Sequence, residues 1–328
     1  MSCKTVDLVV PCYNEEEILN TFYTETAAVI EKIQNNATEP KLNDSYQFHF
    51  ILVNDGSRDR TLSIMRDLSA AHEEVDYISF SRNFGKEAAM YAGFTYSTAD
   101  LVVVMDADLQ HPPQMFSEFL AGIEEGYDCV AARRTDRKGE SHLRNLLSLQ
   151  FYKFSNSLTE VQLIHGVVDY RIMTRQMIDA ILSLSEHQRF SKGIFAWVGF
   201  DTKWVPYENV ERTMGQTKWS IKSLFNYAID GIIAFSVKPL KWITGFGIAL
   251  MVFSLLYILL MVILHFAAQV ILPAYFPTLS AVCLIGGIIE CSLGVIAEYL
   301  SRIYISAKDR PLYITKETSM IDENSKLL

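Results

Sequence analysis

The 328-residue chain is half hydrophobic, carries a formal net charge of −9 and has a mean hydropathy of +0.14. Its length points to about two structural units, and its acidity argues against a nucleic-acid partner held on a broad basic surface. The five cysteines form no CxxC pair, which argues against structural zinc and for buried, reduced thiols.

Met1 to Asp7 lacks the apolar core of a signal peptide, and the chain is expected to enter a strand directly, over Val6 to Val10. Pro11-Cys12-Tyr13-Asn14 breaks that strand, and Glu15-Glu16-Glu17 opens a helix to about Gln34, because acidic residues suit a first helical turn. Phe48 to Val53 reads as a second strand, ended by Asn54-Asp55-Gly56-Ser57. A helix over Thr61 to Ala71, a strand over Tyr77 to Ser81, a helix over Ala88 to Tyr96 and a strand over Leu101 to Met105 follow. This alternation predicts a doubly wound, mainly parallel α/β sheet, with ligands at the carboxyl ends of its strands.

Asp106 and Asp108 follow the fourth strand. On an extended backbone that spacing puts both carboxylates on one side, where they repel unless a cation lies between them. The pair reads as a hard-metal site able to hold a substrate phosphate. Beyond it, a helix over Phe116 to Glu125, a strand over Asp128 to Ala132, a helix over Leu143 to Leu158, a strand over His165 to Met173 and an extended stretch over Phe195 to Val205 are expected.

From Ile243 to Ile289 there is no Asp, Glu, Lys or Arg. The span can supply two membrane helices of about 20 residues each, placed at Ile243 to Phe266 and Phe276 to Leu300. Lys238 and Lys241 flank one side, Arg302, Lys308 and Arg310 the other, so both flanks are expected in the cytoplasm. Trp219 to Phe235 has apolar residues at helical spacing and is expected to lie in the membrane interface. Glu290 is too deep to face lipid and should face another helix. The resulting division is a cytoplasmic catalytic domain over 1–217, a juxtamembrane amphipathic region over 218–240, two transmembrane helices over 241–302 and a cytoplasmic tail over 303–328.

Four motifs carry a resemblance over nearly the whole chain: Val10-Pro11-Cys12-Tyr13-Asn14-Glu15, Val53-Asn54-Asp55-Gly56-Ser57, Asn83-Phe84-Gly85-Lys86 and Asp106-Ala107-Asp108-Leu109-Gln110-His111-Pro112. In order and spacing the chain resembles family 2 glycosyltransferases of the GT-A fold, in particular those that transfer a sugar from a nucleotide to a polyprenyl phosphate. The resemblance implies a UDP-sugar donor, glucose or N-acetylglucosamine being the expected sugars, and undecaprenyl phosphate as acceptor, at a bacterial plasma membrane. It implies that Pro11, Tyr13, Glu15, Asp55, Lys86, Asp106, Ala107 and Asp108 bind the donor. Asp106, Asp108 and Gln110 would hold Mg²⁺ or Mn²⁺. Arg134, Arg144, Arg212 and Lys218 are the cations for the acceptor phosphate, to which an arginine fork is well matched. Arg212 and Lys218 count with Asp106 and Asp108 as catalytic. Asp169 and Arg171 are expected to shape the site, because a phosphate nucleophile is already anionic and needs little help from a base. A homo-oligomer, a tetramer by analogy, is also implied. The alternatives are another lipid or glycan acceptor, or a silent membrane scaffold.

Overall fold

The computed structural model describes residues 3–134 except 36, 166–207 except 185, 187 and 188, 275–320 except 309, and the single positions 256 and 263. Its first half alternates strands and helices: β1 (Cys3–Cys12), α1 (Leu19–Gln34), β2 (Ser45–Asn54), α2 (Thr61–Ala71), β3 (Val75–Phe80), α3 (Lys86–Tyr96), β4 (Leu101–Val104) and α4 (Phe116–Glu124). Next come β5 (Cys129–Arg134), β6 (Val167–Thr174), α5 (Arg175–Leu182), α6 (Ser191–Trp197), β7 (Thr202–Tyr207), α7 (Tyr275–Ala307) and β8 (Thr315–Thr318).

The strands form one eight-stranded sheet in the order β7-β5-β6-β4-β1-β2-β3-β8. β1 pairs in parallel with β2 and β4, β2 with β3, and β5 with β7. β6 is antiparallel to both β4 and β5, and β8 is antiparallel to β3. The sheet is therefore mixed, with β6 and β8 reversed against six strands that share one direction.

Alternation along the strands divides the core. Val6, Leu8 and Val10 of β1 join Phe22 and Ile30 of α1 and Phe116 and Phe119 of α4 on one face. Val9 joins Ala89 and Ala92 of α3, Ile178 of α5 and Ile194 of α6 on the other. Covered faces of this kind suit near-continuous apolar strands such as Leu101-Val102-Val103-Val104. Gly93 lets α3 lie close to β1: a Cβ there would come within 2.2 Å of Val9 Cγ1.

Three sequence expectations are corrected. The first helix begins at Leu19 rather than at Glu15, because Asn14 adopts a left-handed conformation (φ 55°) and the turn that follows is closed by Ile18 N–H donating to the Glu15 carbonyl at 3.2 Å. The stretch Phe195 to Val205 is not extended throughout, since Ser191–Trp197 is helical. The Glu87 carboxylate of α3 accepts the backbone N–H and the hydroxyl of Ser191, and such capping by a distant residue leaves no local sequence signal. Asp106 and Asp108 do not lie on an extended backbone, because β4 ends at Val104 and the chain turns, with Leu109 left-handed (φ 55°).

The helix expected over Phe276 to Leu300 is present and longer, as α7. Among the described residues no helix is long and apolar enough to cross a membrane. The helices expected at 143–158, 219–235 and 243–266 lie outside the described residues apart from Leu256 and Ile263, both helical and exposed. The side chains of Glu290 and Glu298 also lie outside them. Among the described cysteines, Cys3, Cys12 and Cys129 are free, and burial pushes the thiols of Cys12 and Cys129 up.

Candidate active site

The order β4-β1-β2 places a topological switch point between β1 and β4, and sheets of this kind bind ligands there, beyond the carboxyl ends of the strands. β1 delivers Pro11 and the turn through Tyr13 to Glu15, β2 delivers Asp55, and β4 delivers Asp106, Ala107 and Asp108. β6 runs the opposite way, so Asp169 and Arg171, near its start, come to the same edge.

The β1 and β2 loops are tied together. Asn14 N–H donates to Ser57 Oγ at 3.0 Å, Arg58 N–H to Asn14 Oδ1 at 2.9 Å, and Glu15 N–H to Thr61 Oγ1 at 2.8 Å. Asp55 is only 3% exposed, and its carboxylate accepts Phe84 N–H at 2.6 Å and Gly85 N–H at 3.0 Å. Burial raises its pKa against the opposing pull of those two amides. Asp55 therefore fixes the turn that carries Lys86, a task the sequence did not reveal. Asn54 supports the same loop, donating to Ser79 Oγ at 2.9 Å and accepting Ser57 N–H at 3.0 Å.

Lys86 is the hub of the site. Its Nζ lies 2.6 Å from Asp106 Oδ1 and 2.8 Å from Asp169 Oδ2. Desolvation opposes its charge, but Asp106 and then Asp169 outweigh that and hold the ammonium well above the usual lysine range. Asp169 is desolvated too, yet Lys86 and Lys192 hold its carboxyl well below the usual range.

Next to Lys86, Glu87 is pushed up to about 7 by burial and by the charge of Asp169, against the hydrogen bonds from Ser191. Arg171 is 2% exposed and donates to the backbone carbonyls of Val168 and Asp169, with its guanidinium 3.8 Å from the Phe195 ring centroid. It braces β6. His111, buried and stacked on Tyr170 at 5.1 Å, is kept neutral chiefly by burial, although Asp106 and Asp108 pull the other way. Tyr170 in turn donates to the Pro112 carbonyl at 3.0 Å. The sequence disclosed no site role for Glu87, His111 or Tyr170, although His111 stands inside a quoted motif and the other two adjoin Lys86 and Asp169.

Arg134 ends β5, its N–H donating to the Gly166 carbonyl at 2.9 Å. Arg144, Arg212 and Lys218 lie outside the described residues.

Asp108 accepts the Gln110 N–H at 3.1 Å, so this segment folds back on itself. Among the described residues no three His, Cys, Asp or Glu side chains cluster as a metal site. Two carboxylates and an amide nevertheless suit Mg²⁺ or Mn²⁺, which leave positions for water and substrate phosphate. Asp106 already carries a cationic group at 2.6 Å, the Lys86 ammonium. The residues present thus fit a divalent cation.

The model of glycosyl transferase family 2 matches residues 7–182, more than half of the chain. The chain belongs to this family. In this family 2 glycosyltransferase a second model, the GtrB C-terminal hairpin, matches residues 238–303. The enzyme is similar to the putative glycosyltransferase CsbB of Bacillus subtilis (strain 168), with 45% identity over 96% of this chain and 92% of the relative. It is also similar to the prophage bactoprenol glucosyl transferase homolog of Escherichia coli (strain K12), with 34% identity over 95% and 98%. Among solved structures, mannosyl-3-phosphoglycerate synthase from Rubrobacter xylanophilus matches with a TM-score of 0.44 at 19% identity, over 69% of this chain and 71% of that one, a likeness too remote to bear on function.

Proposed function

We propose that the enzyme transfers a sugar, glucose or N-acetylglucosamine, from a UDP-sugar to undecaprenyl phosphate on the cytoplasmic face of a bacterial membrane, with inversion. An oxygen of the acceptor phosphate attacks the anomeric carbon, the bond from that carbon to the diphosphate breaks, and UDP leaves with the bonding pair. The products are UDP and a polyprenyl-monophosphate sugar.

The observation that carries this reading is a coincidence of edges. The last described residue before the hairpin region, Tyr207, ends β7 at the same sheet edge that bears Asp55, Lys86, Asp106 and Asp169. The chain reappears after the hairpin as β8, and Thr315 enters the sheet beside Phe80, at that edge again. Both connections to the apolar span thus leave from the donor side, which supports an acceptor that arrives from the bilayer. Departure and return on one side of the sheet also support an even number of crossings. The bactoprenol glucosyl transferases among the relatives, and the hairpin model over 238–303, support the same acceptor and membrane topology.

In this reading Pro11, Tyr13, Glu15 and Asp55 line the nucleoside pocket. Asp106, Asp108 and Gln110 would hold Mg²⁺ or Mn²⁺, which neutralises charge developing on the leaving diphosphate. Arg134, Arg144, Arg212 and Lys218 receive the acceptor phosphate. The protein supplies positioning and electrostatics.

The test uses the full-length chain in detergent with Mn²⁺ or Mg²⁺, UDP-glucose or UDP-N-acetylglucosamine, and undecaprenyl phosphate or diacylglycerol, with products read by mass. A sugar phosphodiester forms with the phosphate acceptor alone, and Asp108→Asn lowers the rate at least about a hundredfold. The proposal fails if neither donor gives a product with undecaprenyl phosphate.

A further inference from the structure

Two carboxylates meet at Lys86, and only one of them is a proposed metal ligand. The ammonium contacts Asp106 Oδ1 at 2.6 Å and Asp169 Oδ2 at 2.8 Å, and 39% of the side chain is exposed. Asp106 is 30% exposed and Asp169 19%, so the ammonium spans from the open crevice to a more enclosed carboxylate. Its origin is fixed. Lys86 is the first residue of α3, whose start is set by the amides that Asp55 holds and whose body is pressed on β1 at Gly93.

A divalent cation at Asp106 and the ammonium on the same carboxylate repel each other, and they compete for its oxygens. Asp169 stands on β6, a different strand from the one that leads into the Asp106–Asp108 turn, and shares the ammonium with Asp106. Incoming diphosphate offers it a third partner, because a lysine serves as a point-charge partner for phosphate.

Building on the proposed metal-dependent transfer, we infer that Lys86 is an internal counter-ion that occupies Asp106 until metal and nucleotide load together, and that Asp169 is a positioning residue that draws the ammonium away from Asp106. The free enzyme then holds the metal weakly, and the nucleotide diphosphate, by engaging Lys86, strengthens metal binding. Linkage requires the reverse as well, so metal strengthens nucleotide binding by the same factor.

The two carboxylate contacts of one ammonium give two variants with opposite signs. Binding of Mn²⁺ to the full-length chain in detergent is followed by the loss of the free-ion electron paramagnetic resonance signal, with and without UDP. Lys86→Met removes the competing charge and binds Mn²⁺ about tenfold more tightly without UDP, while UDP strengthens its binding less than in the wild type. Asp169→Asn leaves the ammonium on Asp106 and binds Mn²⁺ several-fold more weakly without UDP. A merely structural role for these residues would weaken binding in both. Unchanged or weaker binding in Lys86→Met, or unchanged or tighter binding in Asp169→Asn, overturns the inference and leaves the proposed reaction standing. If the wild type takes up no Mn²⁺ even with UDP, the metal-dependent reading falls and this inference with it.

Discussion

Glu87 shows how much one side chain can carry. It is the second residue of α3, caps α6 through Ser191, and stands beside the charge of Asp169, with Lys86 as its neighbour in sequence. Its pKa of about 7 lies above the ordinary glutamate value of 4.5. The folded state therefore binds more protons than the unfolded chain between those values, and stability falls as pH rises through that window. The contribution is fully present below about 4.5 and lost as pH rises through about 7, with a size on the order of 3 kcal/mol. Glu87→Gln keeps an acceptor for Ser191 but does not ionise. Thermal melting between pH 5 and 8 should show a flatter profile for this variant and a higher Tm than wild type at pH 8. A parallel pair of profiles would refute the assignment. Asp169 acts with the opposite sign: its depressed pKa adds stability above the ordinary aspartate range, lost as pH falls below it.

At the level of elements, the loops after β1 and β2 form one interlocked unit whose tightest point is Gly56. Its φ is +63°, and a Cβ there would stand 2.3 Å from the Arg82 backbone carbonyl carbon and 2.5 Å from Asn83 N. Gly56→Ala forces the turn that presents Asp55 to move away from the segment leading to Lys86. The expected cost is about 2–4 kcal/mol of stability, read as a drop in denaturation midpoint, with a larger KM for the nucleotide-sugar than the stability loss alone explains. This unit also marks what the sequence could and could not disclose. Asp106, Asp108, Asp55 and Lys86 were legible because each sits in a short motif at a strand end. The bridge from Lys86 to Asp169 was not, because it depends on β6 running against β4, a pairing no local pattern encodes. The end of α6, from Phe195 to Trp197, was read as extended because the helix's cap comes from Glu87, far away in sequence. β8 escaped notice for a simpler reason: Thr-Lys-Glu-Thr has no apolar residue to alternate, and only the free edge of β3 makes it a strand.

For the molecule as a whole, β8 ties the tail to the sheet, and in the proposed membrane arrangement that fixes the side the tail occupies. Tyr313 stacks on Phe80 at 4.9 Å, Arg66 and Glu317 make a two-point ion pair at 2.7 and 2.6 Å, and Ser319 Oγ donates to Asp76 at 2.6 Å. A tail docked on β3 shares a compartment with the catalytic crevice. In a Cys3→Ser background, Ser319→Cys should react with a membrane-impermeant maleimide in inverted vesicles and not in intact cells. Labelling in intact cells would contradict the shared compartment. The same strand bears on how the protein is born. β3 emerges from the ribosome early, yet its outer partner follows only after the whole hairpin segment. Until β8 is made, β3 keeps an open edge, the kind that recruits stray strands. Completion of the sheet thus reports that the hairpin segment and β8 have both been made, and a product that stops short of β8 carries an exposed edge by which it can be recognised as unfinished.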